Sequence, residues 1–187
     1  MTNIRLAAEA DAPAIARIYA PFCESTSVSF EYAAPSAEEM AGRIAAVTKQ
    51  YPWLVSIDDG VVAGYAYASR HRERAAYAWS VDTAVYVAPD HLRQGIARAL
   101  YARLFALLRR LGYVNAYAGV ALPNPASVGL HQSVGFLPIG VYRRVGYKHG
   151  AWHDVAWFHA ELQPPPEHPQ PPRPISELSD VHDLDRP

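Results

Sequence analysis

Two stretches of this sequence combine residue types that suit an anionic ligand. The first is Val85-Tyr86-Val87-Ala88-Pro89-Asp90-His91-Leu92-Arg93-Gln94-Gly95-Ile96-Ala97-Arg98. A β-branched and aromatic run stops at a proline, and a long apolar periodicity starts a few residues later: a strand, a loop and a helix start. The first amides of a helix have no intrahelical acceptor and sit at the positive end of its dipole. Small residues at 95 and 97 let a pyrophosphate approach that backbone closely. Arg93 and Arg98 add charge that can meet phosphate oxygens. Gln94-Gly95-Ile96-Ala97 is therefore the expected phosphate turn, although a glycine and an alanine alone would equally describe a loosened loop. The Gly-x-Gly-x-x-Gly spacing and early βαβ position of a dinucleotide fold are missing, which argues against NAD.

The second stretch is Asn124-Pro125-Ala126-Ser127-Val128-Gly129-Leu130-His131-Gln132-Ser133-Val134-Gly135-Phe136. Asn124 stands between two prolines, where its amide can bond a ligand without competing with a helix. Ser127 and His131 are four apart and share a helix face, so a hydroxyl and a titratable ring can point at one ligand. A capped helix with an exposed histidine is the plainer reading of the same residues.

The elements that must hold these stretches are readable from periodicity and punctuation. Ile4-Arg5-Leu6 is a short strand. Asp11 is placed to cap a helix with Pro13 in its first turn, and Ile15, Ile18, Tyr19 and Phe22 share one face of it. Ser36 and Glu39 form a capping-box pattern for a second helix with Met40, Ile44 and Val47 inward. Residues 54–57, the turn Asp58-Asp59-Gly60 and residues 61–68 read as a hairpin. Residues 77–87 form a long strand. Ile96, Leu100, Leu104, Leu107, Leu108 and Leu111 keep a 3.6-residue period that Gly112 closes. Residues 114–121 are a strand, 124–134 a short helix ended by Gly135, and 141–147 and 152–162 the last strands. No internal repeat is visible. The order βααβββαβαββ predicts an α/β or α+β domain over residues 1–162, a mixed sheet with helices on both faces.

Residues 163–187 differ in character, holding eight of the 16 prolines among polar residues. So little apolar surface cannot offset ordering entropy, and the segment is expected to be a flexible tail outside the domain. A proline-rich ligand for a partner domain is the lesser alternative. At 187 residues, half of them apolar and 19% charged, the chain suits one globular domain. A formal net charge of −1 argues against a nucleic-acid platform. The lone Cys23 excludes an intrachain disulfide and a multi-thiolate metal site, and is expected to be a buried, inert thiol. His149 and His153 lack a third partner, so no metal is expected. No signal peptide or membrane-length apolar run is visible, and the expected location is the cytoplasm.

In order and together, the two stretches resemble the acetyl-CoA motifs of the GNAT superfamily of N-acetyltransferases. The first resembles its (Gln/Arg)-x-x-Gly-x-(Gly/Ala) turn and the second its Asn-x-x-Ser…Gly-Phe segment. The chain is most similar to phosphinothricin N-acetyltransferases and methionine sulfoximine or methionine sulfone acetyltransferases. Residues 24–30, Tyr51-Pro52-Trp53-Leu54-Val55, residues 122–127 and Gly146-Tyr147-Lys148-His149-Gly150-Ala151-Trp152-His153-Asp154-Val155 support this. The likeness covers residues 3–162.

The resemblance implies a mixed, mostly antiparallel sheet flanked by helices, acetyl-CoA as cosubstrate, and direct transfer to an amine in a ternary complex. It assigns Val85, Tyr86, Val87, Arg93, Gln94, Gly95, Ile96, Ala97, Arg98, Asn124, Ser127 and Ser133 to acetyl-CoA. The pantetheine arm would lie along the strand, with the amide near Val87 holding the oxyanion of the tetrahedral intermediate. Asp82 is the candidate base for the amino group, directly or through water; His131 could protonate or position the leaving thiolate. Arg72 and Arg74 suit a carboxylate or phosphinate, and Phe30 and Tyr77 could wall the substrate pocket. Relatives imply a homodimer.

The sequence departs from the pattern at four places. Leu92 stands where the superfamily has Gln or Arg. Asp82 stands for a glutamate. His71 occupies a position that is often tryptophan, and His131 one that is a tyrosine in the wider superfamily. Two other readings compete: a GNAT acting on a protein N-terminus or polyamine, and a noncatalytic acyl-CoA-binding regulator. An acid at 82 and a histidine at 131 favour catalysis; the basic Arg72 and Arg74 favour a small acidic substrate over a polyamine.

Overall fold

A computed structural model describes residues 3–178. Seven strands form one sheet in the order β1-β2-β3-β4-β5-β7-β6. They are β1 (Asn3–Leu6), β2 (Trp53–Asp58), β3 (Val61–Arg70), β4 (Ser80–Val87), β5 (Asn115–Ala121), β6 (Leu137–Lys148) and β7 (Ala151–Glu161). Every neighbouring pair is antiparallel except β4 and β5. Four helices accompany them: α1 (Ala12–Glu24), α2 (Ala37–Val47), α3 (Ile96–Leu111) and α4 (Pro125–Ser133). The element order and the mixed, mostly antiparallel sheet are those expected from the sequence.

The sheet has two dressed faces. On one, α3 buries Ile96, Leu100, Leu104, Leu107, Leu108 and Leu111 against Ala66, Ala68, Val81, Ala116 and Ala118. Each such leucine contributes roughly 1.5–3 kcal/mol relative to exposure. On the other, Ile15, Ile18 and Tyr19 of α1 and Met40 and Ile44 of α2 cover Trp53, Val55 and Tyr65. The small sheet residues under α3 and the large rings under α1 explain how helices fit both sides.

Local signals held unevenly. Ser36 Oγ accepts from the Glu39 amide at 3.1 Å, and the Ser36 amide donates to Glu39 Oε2 at 2.7 Å, completing the capping box of α2. Asp11 precedes α1 but caps nothing there. Its carboxylate takes both Arg5 guanidinium nitrogens at 2.7 Å and the Ala8 amide at 2.8 Å, and the Arg5 bond holds it below the usual aspartate range. β4 starts at Ser80 because residues Ala75–Tyr77 form a 3₁₀ turn. β6 is longer than expected because an edge strand tolerates Pro138 beside a register shift.

The proline-rich segment is a correction. It does not leave the domain after residue 162 but runs along it as a strap as far as residue 178. Gln163 Nε2 donates to the Tyr113 carbonyl at 2.7 Å, and Trp79 Nε1 to that of Gln170 at 2.9 Å. The amides of Arg173 and Ile175 donate to Leu111 and Gln50 carbonyls. Ile175 is buried in the α3 core. Composition counts too few apolar residues for a core, but prolines arrive already extended and lose little entropy on docking. Residues 179–187 of the expected tail lie outside the described residues. Removing residues 163–187, or substituting Ile175→Ala, is expected to lower the melting temperature, the point change costing about 2 kcal/mol; calorimetry would check it, and an unchanged melt would show the strap to be idle.

Candidate active site

The site follows from a place where the sheet comes apart. β4 and β5 pair only at Ser80–Asn115, Val81–Ala116 and Asp82–Tyr117. Beyond Asp82, β4 stays with β3 and β5 with β7, so the two strands diverge. The last link is Thr83 Oγ1, which donates to the Tyr117 carbonyl at 3.1 Å. The Ala88 amide donates back to Ala63 on β3. Antiparallel alternation therefore turns the even-numbered amides from 82 to 88 toward β3, and those of Thr83, Val85 and Val87 into the gap.

A cleft of about 770 Å³ opens at that gap. One wall is Val85, Tyr86 and Val87; the floor is His91, Leu92, Arg93 and residues 95–98; α4 adds Asn124, Ser127 and Ser133. Gly95 precedes α3 with φ +81°, a left-handed conformation that suits glycine. No side chain caps α3, so the Ile96, Ala97 and Arg98 amides keep unused donors beside two arginines. Leu92 is 57% exposed on this wall and brings no polar atom. The donor set is that of a phosphate site made chiefly of backbone.

Of the residues expected to meet the cosubstrate, all but Gln94 line the cleft. Gln94 turns away, its Nε2 donating to the Asp90 carbonyl at 3.3 Å. Asn124 lines the cleft, yet its Oδ1 is committed as the cap of α4, accepting the Ser127 amide at 3.1 Å. Helix capping therefore takes the acceptor half of its side chain. Ser133 Oγ donates back to the Leu130 carbonyl at 2.7 Å.

His131 does not reach the cleft. Its ring is 5% exposed, among Tyr101, Phe136 and Phe158. Nδ1 donates to the Ser127 carbonyl at 2.7 Å and Nε2 accepts from the Tyr101 hydroxyl at 2.9 Å. Burial pushes the imidazole pKa down, so the ring is held neutral. Ser127 and His131 do share a face, with Ser127 Oγ 3.3 Å from His131 Nδ1, but only the serine borders the cleft while the histidine enters the core.

A second cavity of about 400 Å³ is lined by Val28, Phe30, Gly119, Ala121, Tyr142, Val145, Val155 and Trp157. Val28 belongs to both spaces. Val28 and Phe30 come from the segment between α1 and α2, and Phe30 was legible in the sequence; the others come from β5, β6 and β7, and no short motif joins them. Arg72 stands 5.8 Å over the Trp157 ring, while its Nη1 donates to the His71 carbonyl. Arg74 is exposed and borders neither space. Tyr77 sets its ring 5.9 Å from that of His71.

Asp82 is the last β4 residue paired with β5, so it stands at the apex of the divergence. It shares a sheet face with Tyr117 and, two residues on, with Gly119 of the second cavity. Its Oδ1 lies 2.7 Å from His71 Nδ1. Burial raises its pKa, and the His71 bond opposes that rise.

Lys148 lies in a stretch that carries the family likeness, but nothing in its spacing announces its role. It is 1% exposed, and its Nζ donates to the Cys23 and Ser29 carbonyls at 2.5 and 2.6 Å. The β6 end thereby fastens the loop carrying Val28 and Phe30. An added Cβ at Gly146 would collide with the Phe30 ring, so glycine is needed for that seating. Cys23 is fully buried. Among the described residues no group of three or more His, Cys, Asp or Glu could hold a metal ion, and no helix is long and apolar enough to cross a membrane.

A divergent mixed sheet, with an uncapped helix start in the opening, places strand amides and helix amides along one cleft, as suits an elongated ligand with an anionic end. Residues 4–157 match the family model of the acetyltransferase (GNAT) domain. The phosphinothricin N-acetyltransferase of Streptomyces viridochromogenes is 36% identical over 96% of this chain and 96% of its own. The L-methionine sulfoximine/L-methionine sulfone acetyltransferase of Salmonella typhimurium is 34% identical over 90% of this chain and 98% of its own. A crystal structure of a phosphinothricin acetyltransferase from Sinorhizobium meliloti in complex with acetyl-CoA superposes with a TM-score of 0.84 at 34% identity, covering 91% of this chain and 96% of that one. The chain belongs to the GNAT acetyltransferase family.

Gly95→Ala is expected to raise the acetyl-CoA dissociation constant at least tenfold by disturbing the left-handed turn. Gly60→Ala, at a similar φ of +78° in the remote β2–β3 turn, should leave it unchanged. Calorimetric titration of both variants separates loss of the site from general strain.

Proposed function

We propose that the protein is an acetyl-CoA-dependent N-acetyltransferase acting on the amino group of a small, amino-acid-like substrate of the phosphinothricin or methionine sulfoximine type. The observation that carries this reading is the divergence of β4 and β5, which joins a phosphate-type cleft to a second cavity with an acid at the apex. Acetyl-CoA, when bound, supplies an activated acetyl thioester. The amides of residues 96–98 and the guanidinium groups of Arg93 and Arg98 would hold its phosphates. The Val85 and Val87 amides would hold its arm by strand-like bonds, with Val87 the donor toward charge growing on the carbonyl oxygen.

The amine substrate enters from the second cavity, where Phe30 and Trp157 supply apolar walls and Arg72 meets an acidic head group. Asp82 supplies the negative charge that supports removal of the proton from the ammonium. An amine must lose that proton before it can attack, so the charge at 82 decides turnover more than binding. Arg74 and Tyr77 are assigned to the outer rim. His131 is assigned to fixing α4 on the core, since its ring is buried and both ring nitrogens are bonded within the protein. The buried thiol of Cys23 and dependence on acetyl-CoA support a cytoplasmic enzyme.

Thiol release from acetyl-CoA, followed over phosphinothricin, methionine sulfoximine, methionine sulfone, peptides and polyamines, tests the reading. Turnover is expected on the first three. Asp82→Asn should reduce kcat by about 10²-fold or more, whereas His131→Phe should lower the melting temperature with little change in kcat. Binding of acetyl-CoA without turnover on any amine would defeat the enzymatic reading.

The edge strand β6 supports a homodimer. Leu137, Ile139, Val145 and Tyr147 are each more than half exposed, with Trp152 of β7 beside them at 62%. A long apolar sheet edge invites pairing with another chain. Sedimentation equilibrium should give twice the chain mass, and Ile139→Lys should shift it toward the monomer.

A further inference from the structure

We propose that the group meeting the substrate ammonium is the Nε2 atom of His71, with Asp82 acting as the positioning residue behind it. This rests on the acetyltransferase reading above and names the proton acceptor of that site. Asp82 Oδ1 lies 2.7 Å from His71 Nδ1, so the side of the carboxylate toward the loop is already occupied by the ring. A carboxylate accepts, so in the neutral ring Nδ1 carries the hydrogen and Nε2 keeps its lone pair. No protein group bonds Nε2 among the described residues, and the atom is not sealed from solvent.

The ring is held in place from two further sides. It stacks on Tyr117 at 4.3 Å with planes 17° apart, and Tyr77 stands edge-on at 5.9 Å. The His71 side chain is only 11% exposed. Its surroundings lead to the second cavity by two routes. Tyr117 is two residues before Gly119 on the same face of β5, and Arg72, next in the chain, reaches over Trp157. The charged and titratable groups facing the ring are Asp82 from β4, Tyr117 from β5, Tyr77 from the 3₁₀ turn and Arg72 from its own loop.

An aspartate is one methylene short of a glutamate, and the imidazole supplies the missing reach. In the step itself the substrate N–H bond breaks and its proton forms a bond to Nε2. The electron pair stays on the amine nitrogen, which becomes the nucleophile toward the thioester. Asp82 holds the tautomer and stabilises the imidazolium that forms, the division of labour known for paired carboxylate and imidazole groups. Nothing is oxidised or reduced.

The test has a spectroscopic and a kinetic arm. Imidazole nitrogen–proton correlation spectra of the labelled protein, with His71 assigned by its loss in His71→Phe, should show the neutral ring as the Nδ1–H tautomer. In Asp82→Ala that signature should disappear. An Nε2–H tautomer in the native protein would overturn the proposal, whether or not any amine is turned over. On an amine that the native enzyme acetylates, His71→Phe retains the stacking on Tyr117 without a nitrogen. It should lower kcat by 10²-fold or more at an unchanged KM for acetyl-CoA. The double variant with Asp82→Asn should be no slower than the slower single one, and added imidazole should restore part of the rate to His71→Ala. If His71→Phe kept native kcat and pH profile while Asp82→Asn lost them, the carboxylate would be the direct base and the ring mere packing. Failure of the native enzyme on every amine defeats the acetyltransferase reading instead, and the tautomer still judges the pair.

Discussion

Two neighbouring strands that run parallel for three residues and then separate organise this protein. A strand end in the middle of a sheet leaves backbone donors and acceptors without partners, and a buried backbone group without a partner is costly. Here the Thr83 hydroxyl closes the last rung and the remaining amides of β4 face a cleft wide enough for a ligand. The same divergence sets α3 and α4 on the two sides of the opening. A gap that would be a defect in a closed sheet is thereby a strand-shaped binding edge, with a helix start at its far end.

The opening needs a wall on its open side, and that wall is a loop held from a distance. Residues 25–35 connect α1 to α2 and carry Val28 and Phe30 between the two cavities. Lys148 fastens them through two carbonyls, Tyr32 donates to the Tyr147 carbonyl at 2.6 Å, and Tyr19 bonds Ser29 at 2.7 Å. A buried ammonium is expensive unless its hydrogens are taken up, so these contacts tie the β6–β7 hairpin firmly to the helices on that face. The geometry of the second cavity thus depends on residues more than a hundred positions apart.

Several polar residues that a sequence reading assigns to ligands are engaged inside the fold. Asn124 caps α4, Gln94 braces the loop before α3, and His131 links α4 to Tyr101 in the core. The reason is shared. Short polar side chains near helix ends find backbone partners within a turn, and an apolar neighbourhood keeps a histidine neutral. His71 and Asp82 differ because they meet at the apex, where one face remains open.

The sequence by itself determined the order of elements, the identity of the core-facing leucines of α3, the capping box of α2 and the glycine turn that opens α3. These depend on periodicity and on residues within one turn of each other, so local physics is enough. It also carried the family likeness, because the two ligand stretches are contiguous. Tertiary structure decided what contiguity cannot express: that Asp82 meets His71 across eleven positions, that Lys148 is buried beneath a loop near residue 29, and that Gly119, Tyr142 and Trp157 share a cavity. It also decided the fate of the proline-rich segment. Composition weighs how much apolar surface a segment carries, whereas docking needed only Ile175 in one core site and a few backbone bonds along an already extended chain.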